Sequence, residues 1–95
     1  ILLQKEGVFS IVLECIETSL AKEISKSLDI PTIGIGSSKN CDGQVLVTDD
    51  LIGLNQTKIR FVKRFGNIKA DIRNSISKFR KEVLHKKFPS KKYSY

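Results

Sequence analysis

The stretch Val8-Phe9-Ser10-Ile11-Val12-Leu13-Glu14, with Ile30-Pro31-Thr32-Ile33-Gly34-Ile35-Gly36 beyond it, decides how this chain folds. Residues 8–14 are a short β-branched and apolar run after Gly7, which suits a strand buried on both faces. Glu14 falls at its carboxyl end. Thr18 and Ser19 then offer an amino cap, and Leu20, Ala21, Ile24 and Leu28 recur at helical spacing with Lys22, Glu23 and Lys26 between them. Asp29 ends this helix and Pro31 forbids its continuation. Residues 30–36 form a second apolar strand that runs into glycines. Strand, short helix, strand is the β–α–β order that brings two parallel strands side by side.

Working outward, Ile1-Leu2-Leu3-Gln4-Lys5-Glu6 reads as part of a helix, and the chain contains no Met, even at position 1. The expectation is therefore the carboxyl-terminal part of a longer protein. In the other direction, Ser37-Ser38-Lys39-Asn40-Cys41-Asp42-Gly43 is a polar loop of turn-forming residues. Gln44-Val45-Leu46-Val47 is a brief apolar run, and Thr48-Asp49-Asp50 starts a short turn or helix through Gly53. A linker around Asn55-Gln56-Thr57 leads to an apolar cluster of Ile59, Phe61, Val62 and Phe65. Asn67 is placed to cap a last helix whose stripe is Ile68, Ile72, Ile76, Phe79, Val83 and Leu84, with Pro89 as its terminator. That stripe reads as a core-facing or partner-facing surface.

Length and charge bound the rest. Ninety-five residues at 10.7 kDa leave no room for two independent cores. Hydrophobic content of 40% with 28% charged residues is that of a globular protein, and apolar runs such as Ile11-Val12-Leu13 are far too short to span a bilayer. Residues 1–57 carry eight acidic and four basic groups, whereas residues 58–95 carry thirteen basic and two acidic groups, a net of +11. Such a half fits either a solvated helix face or a polyanion-binding surface. Cys15 and Cys41 lie far apart without a CxxC pair, so zinc binding is unsupported and two reduced thiols are expected. His85, the one imidazole, sits among charged residues and makes a poor partner for a catalytic triad.

The sharpest chemical feature is Glu14. An apolar surround disfavours the charged form of a carboxylate, a condition for general-base work near neutrality, and in an α/β barrel the carboxyl ends of strands face the active site. The competing reading is a carboxylate that caps the following turn or pairs with a lysine. Gly34 and Gly36 allow either a sharp turn or close approach to a ligand. They lack the remaining features of a dinucleotide or phosphate loop. Asp42, Asp49 and Asp50 read as turn formers and caps in preference to cation ligands.

These blocks in this order resemble one family. Phe9-Ser10-Ile11-Val12-Leu13-Glu14-Cys15, Leu20-Ala21, Ile30 to Gly36, Cys41-Asp42-Gly43-Gln44-Val45-Leu46-Val47, and the closing Phe88-Pro89-Ser90 with Tyr93-Ser94-Tyr95 are similar to the carboxyl-terminal part of the ketopantoate hydroxymethyltransferases. The resemblance implies a (β/α)8 TIM barrel. This chain would supply about its last two strands and trailing helices as a single partial domain. Residues 1–57 would hold the β/α units and the base, and residues 58–95 a basic helical segment. It further implies transfer of a one-carbon unit from 5,10-methylenetetrahydrofolate to 3-methyl-2-oxobutanoate, giving 2-dehydropantoate on the way to pantothenate. Glu14 would be the general base acting at C3 of the keto acid, and Ile35 and Val45 would line the apolar part of its pocket. Magnesium would hold the keto acid and polarise its carbonyl. Its ligands, and the Ser and Lys that grip the substrate, would lie on earlier strands and none in this chain.

The implied protein is a cytoplasmic homo-oligomer, decameric in the family, with no nucleic-acid or membrane partner. Departures from the family pattern are Glu17 in place of Pro, Ser37-Ser38 in place of Ala-Gly, Asp49-Asp50 in place of His-Asp, and Tyr93 in place of His. Two alternatives stand beside the enzyme fragment: an inactive remnant, and a non-enzymatic α/β module with a nucleic-acid-binding basic tail.

Overall fold

The computed structural model describes residues 1–95, and its centre is the parallel unit expected from the sequence. After α1 (Leu2–Lys5), strand β1 (Ile11–Glu14) leads through α2 (Thr18–Ser27) to β2 (Thr32–Ile35). The two strands pair in parallel with Ile11 opposite Thr32 and Glu14 opposite Ile35. Both are shorter than the apolar runs that announced them, because pairing begins only where the Ile11 amide reaches the Pro31 carbonyl (3.0 Å). The core is small. Leu13, Ala21 and Cys41 are buried, with Ile11, Ile16 and Ile24 packed against them. Leu20, placed on the same stripe by its spacing, stays half exposed.

Three details differ from the sequence expectations. The sheet has a third parallel strand, β3 (Gly43–Gln44), where a loop end and an apolar run were read. Two paired residues are too few to show a period-two pattern; a Cβ at Gly43 would sit 2.9 Å from Ile33 Cδ1, the mobile tip of that side chain. The cap of α2 is Glu17, not Thr18 or Ser19; its carboxylate accepts from the amides of Ser19 and Leu20 at 3.0 and 3.1 Å. The last helix, α4 (Ile68–Leu84), ends well before Pro89. Lys86 adopts a left-handed conformation (φ 54°), and the amides of Lys86 and Lys87 donate back to the carbonyls of Val83 and Glu82, the bonding pattern of a Schellman cap.

Between β3 and α4, the short helix α3 (Thr48–Leu51) anchors the returning chain. The amides of Phe65 and Gly66 donate to the Leu51 carbonyl at 2.8 and 3.2 Å, and that of Ile68 to Ile52 at 3.0 Å. Asn67 occupies the cap position of α4, but its side chain makes no capping bond. No residue of α4 is buried, and its apolar stripe faces solvent. Beyond the helix, Phe88 stacks edge-on against Phe79 with centroids 5.5 Å apart and lies 6.1 Å from Tyr93, in the 3-10 turn Lys91–Tyr93. No helix is long and apolar enough to cross a membrane.

Candidate active site

Side chains alternate along a strand, so burial sorts β1 into two faces. Leu13 is buried towards α2, and Val12 and Glu14 point to the opposite, uncovered face of the sheet. Ile35 pairs with Glu14. Gly34 pairs with Gln44, and the Val45 amide donates to the Gly34 carbonyl at 3.0 Å, so Val45 comes next in line on the face of Ile35. Glu14, Ile35 and Val45 thus lie in a row across the carboxyl end of the sheet. The apolar surround expected for Glu14 is not supplied within this chain: the side chain is exposed, because residues 1–95 put no layer over that face. The capping alternative is also unmet, since Glu17 caps the following helix.

Tight local structure fixes this end of the sheet. Cys15, directly after Glu14, takes a left-handed conformation (φ 53°) while its amide donates to Ile35 at 2.9 Å. A non-glycine residue pays strain there, and the turn sends the chain away from the sheet as soon as Glu14 is placed. Ser37 Oγ donates to the Leu13 carbonyl at 2.8 Å, and Thr18 Oγ1 to the Ser37 carbonyl at 3.2 Å, tying the loops after β1 and β2 together. Gly36 is left-handed as well (φ 61°), and a Cβ on it would lie 2.6 Å from Cγ of Phe61. Its role is a turn and a close approach at once, and what approaches is this ring.

Two carboxylates are held below their ordinary range. The Ser19 hydroxyl, then the amides of Ser19 and Leu20, lower the pKa of Glu17. The backbone amide of Thr32, then its hydroxyl, lower that of Asp42, at 2.8 and 2.9 Å. Thr32 is fully buried and also lies 2.8 Å from Ser25 Oγ, so Asp42 clamps the loop to β2 where the sequence suggested only a turn former. Asp50 is buried and accepts from Thr57 Oγ1 at 3.3 Å. No three His, Cys, Asp or Glu side chains converge on a point.

An open cleft of about 1140 Å³ lies at the carboxyl ends of the strands, bordered by Cys15, the loop Gly36–Lys39, Val45, and the segment holding Arg60, Phe61, Lys63 and Phe65. Glu14 and Ile35 stand beside it without lining it; Val45 belongs to both surfaces. The two aromatics of the apolar cluster read from the sequence, Phe61 and Phe65, are cleft residues. The available signal was the basic–aromatic alternation Arg60-Phe61-Val62-Lys63-Arg64-Phe65, which apolar periodicity does not register.

A parallel β–α–β unit with an acid at the end of its first strand and a cleft beyond the strand ends places the chain in the mixed α/β class, with a small parallel sheet. The chain belongs to the ketopantoate hydroxymethyltransferase family, whose sequence model matches residues 1–91. It is 65% identical over 94 residues to the 3-methyl-2-oxobutanoate hydroxymethyltransferase of Pelagibacter ubique (strain HTCC1062), covering 99% of this chain and 37% of that protein. The protein of the same name from Clostridium botulinum (strain 657 / Type Ba4) is 50% identical over 95 residues, with 99% and 34% covered. That from Bdellovibrio bacteriovorus is 49% identical over 94 residues, with 98% and 36% covered. The chain spans about a third of the length of these relatives.

Proposed function

We propose that this chain supplies the general base and part of the apolar wall for hydroxymethyl transfer from 5,10-methylenetetrahydrofolate to 3-methyl-2-oxobutanoate, as the closing third of a (β/α)8 barrel. The observation that carries the reading is the row Glu14, Ile35 and Val45 on the uncovered face at the carboxyl end of the sheet. A barrel would place its interior over that face and supply the desolvation the carboxylate lacks here. Glu14 then takes the proton from C3 of the keto acid. C3 bonds to the methylene carbon, both bonds from that carbon to the cofactor nitrogens break, and water supplies its hydroxyl; the proton from C3 and the remaining proton of the water end on the two nitrogens, so the product is 2-dehydropantoate and tetrahydrofolate. The aliphatic walls of Ile35 and Val45 face the isopropyl methyls. The chemistry assigned to the chain is the proton step and the apolar wall.

On this reading residues 1–95 form one partial domain of a cytoplasmic homo-oligomer, residues 1–57 carrying the base and residues 58–95 a basic helical segment. The solvent-facing stripe of α4 supports a role in contacts with other parts of the assembly. The test is Glu14→Gln in the complete polypeptide. It should lower kcat by about 10²–10⁴-fold, and deuterium exchange at C3 of the keto acid should fall in parallel while KM changes little. Undiminished exchange in the variant would remove Glu14 from the role.

A further inference from the structure

We propose that Ser37 is a positioning residue for Glu14, its hydroxyl fixing the peptide that carries the Glu14 amide; this rests on the reading of Glu14 as the base. A planar peptide leaves two soft torsions at each Cα, so the direction of a side chain follows from the peptide planes before and after it. Both planes that flank Glu14 are held. Ser37 Oγ donates to the Leu13 carbonyl at 2.8 Å, which fixes the first. The Cys15 amide donates to the Ile35 carbonyl at 2.9 Å, which fixes the second. Neither bond uses the carboxylate, which is left for the reaction. The tether matters at this place because β1 stops at Glu14 and Cys15 turns left-handed directly after it (φ 53°), so no longer stretch of ladder steadies the residue.

A hydroxyl on a loose loop would position nothing, and this loop is not loose. Gly36, immediately before Ser37, is left-handed, with the Phe61 ring packed where a Cβ would stand. The Ser37 carbonyl accepts from Oγ1 of Thr18, the first residue of α2, at 3.2 Å. Ser38 is buried, and its carbonyl accepts from Gln44 Nε2 at 2.7 Å and from the Cys41 amide at 3.2 Å. At the far end, Asp42 grips the amide and hydroxyl of the buried Thr32 at 2.8 and 2.9 Å. The loop is thus fastened at both ends and in its middle by bonds that do not involve Ser37 Oγ. Removing that hydroxyl leaves those bonds standing and frees the Leu13–Glu14 peptide to rock. The rocking carries the carboxylate off its line to C3 of the keto acid, and proton transfer is sensitive to small misplacements.

The experiment uses the complete polypeptide and reads the proton step directly, as deuterium exchange at C3 of 3-methyl-2-oxobutanoate. Ser37→Ala should lower kcat and the exchange rate together by about threefold to tenfold, the contribution of one hydrogen bond, while KM for the keto acid moves by less than about twofold. Ser37→Thr, which returns a hydroxyl, should recover most of the rate. Thr18→Val, which loosens Ser37 from the side of α2, should give a smaller loss of the same kind, and it carries the test should Ser37→Ala misfold. In a Glu14→Gln background, Ser37→Ala should leave the residual exchange within about twofold of the single variant. A folded Ser37→Ala protein with full exchange, a rise in KM with kcat intact, or a loss of rate that Ser37→Thr fails to restore would overturn the assignment. Undiminished exchange in Glu14→Gln itself would instead refute the base, and this inference would fall with it.

Discussion

A carboxylate that caps a helix is stabilised in its charged form by the same N–H groups it satisfies, so its protonation is linked to folding. Glu17 accepts from Ser19 and Leu20, and its pKa is lowered from an ordinary 4.5. Asp42, clamped by Thr32, is lowered from 3.8. For both, the folded-state pKa lies below the unfolded one. Their stabilisation is therefore present in full above the ordinary values and is lost as pH falls through the depressed folded values. Amide exchange in the complete polypeptide, followed from about pH 6 to pH 3, should show α2 and the loop around Asp42 losing protection together at the acid end. Glu17→Gln should flatten that dependence for α2 and leave the Asp42 loop acid-sensitive. A profile identical to wild type would mean the cap contributes nothing. Because Cys15 holds a left-handed turn next to Glu14, a loosened α2 should also disturb the placement of Glu14; on the proposed role of that residue, activity should decline over the same range.

At the scale of elements, helix ends are where local backbone chemistry decides. Lys86 is the C′ residue of α4, at φ 54°, with the amides of Lys86 and Lys87 bonded back to Val83 and Glu82. A left-handed conformation costs an L-residue with a side chain about 1–2 kcal/mol, a cost glycine avoids. Lys86→Gly should therefore stabilise the complete polypeptide by ~1 kcal/mol, a rise in Tm of roughly 2–4 °C, read by calorimetry. A fall in Tm would show that the Lys86 side chain makes contacts in the complete polypeptide that outweigh the strain. The β–α–β order, α2 and the stripe of α4 were legible because each carries a repeating apolar pattern, and Glu14 was legible as an acid ending such a pattern. What escaped has no period. β3 is two residues long, the Schellman cap depends on one φ angle, and Glu17 is an uncommon capping residue. The cleft wall depends on Phe61 reaching across to Gly36, a contact between residues far apart in sequence.

For the whole molecule, dimensions and burial point the same way. The radius of gyration is 22.4 Å and the extents are 67 × 28 × 15 Å, whereas a compact domain of this length has a radius of gyration of about 12 Å. Eight of 95 residues are buried, and only Leu13, Ala21 and Cys41 form an apolar core. Chain entropy opposes folding along the whole length, and so small a core cannot offset it. Ile72, Ile76, Phe79 and Val83 are all between 44% and 62% exposed along one side of α4, a stripe soluble proteins bury. Recombinant 1–95 should therefore melt without a cooperative transition by circular dichroism and should bind a hydrophobic dye, whereas the complete polypeptide should melt cooperatively. Ile76→Asp separates local from assembled stability. In the isolated chain it should leave the circular dichroism melt essentially unchanged, because the side chain is already in solvent. If the complete polypeptide covers this side of α4, as proposed, it should cost about 2–4 kcal/mol there. A cooperative monomeric melt of 1–95, or an equal effect of Ile76→Asp in both contexts, would mean that these residues fold without the rest of the polypeptide.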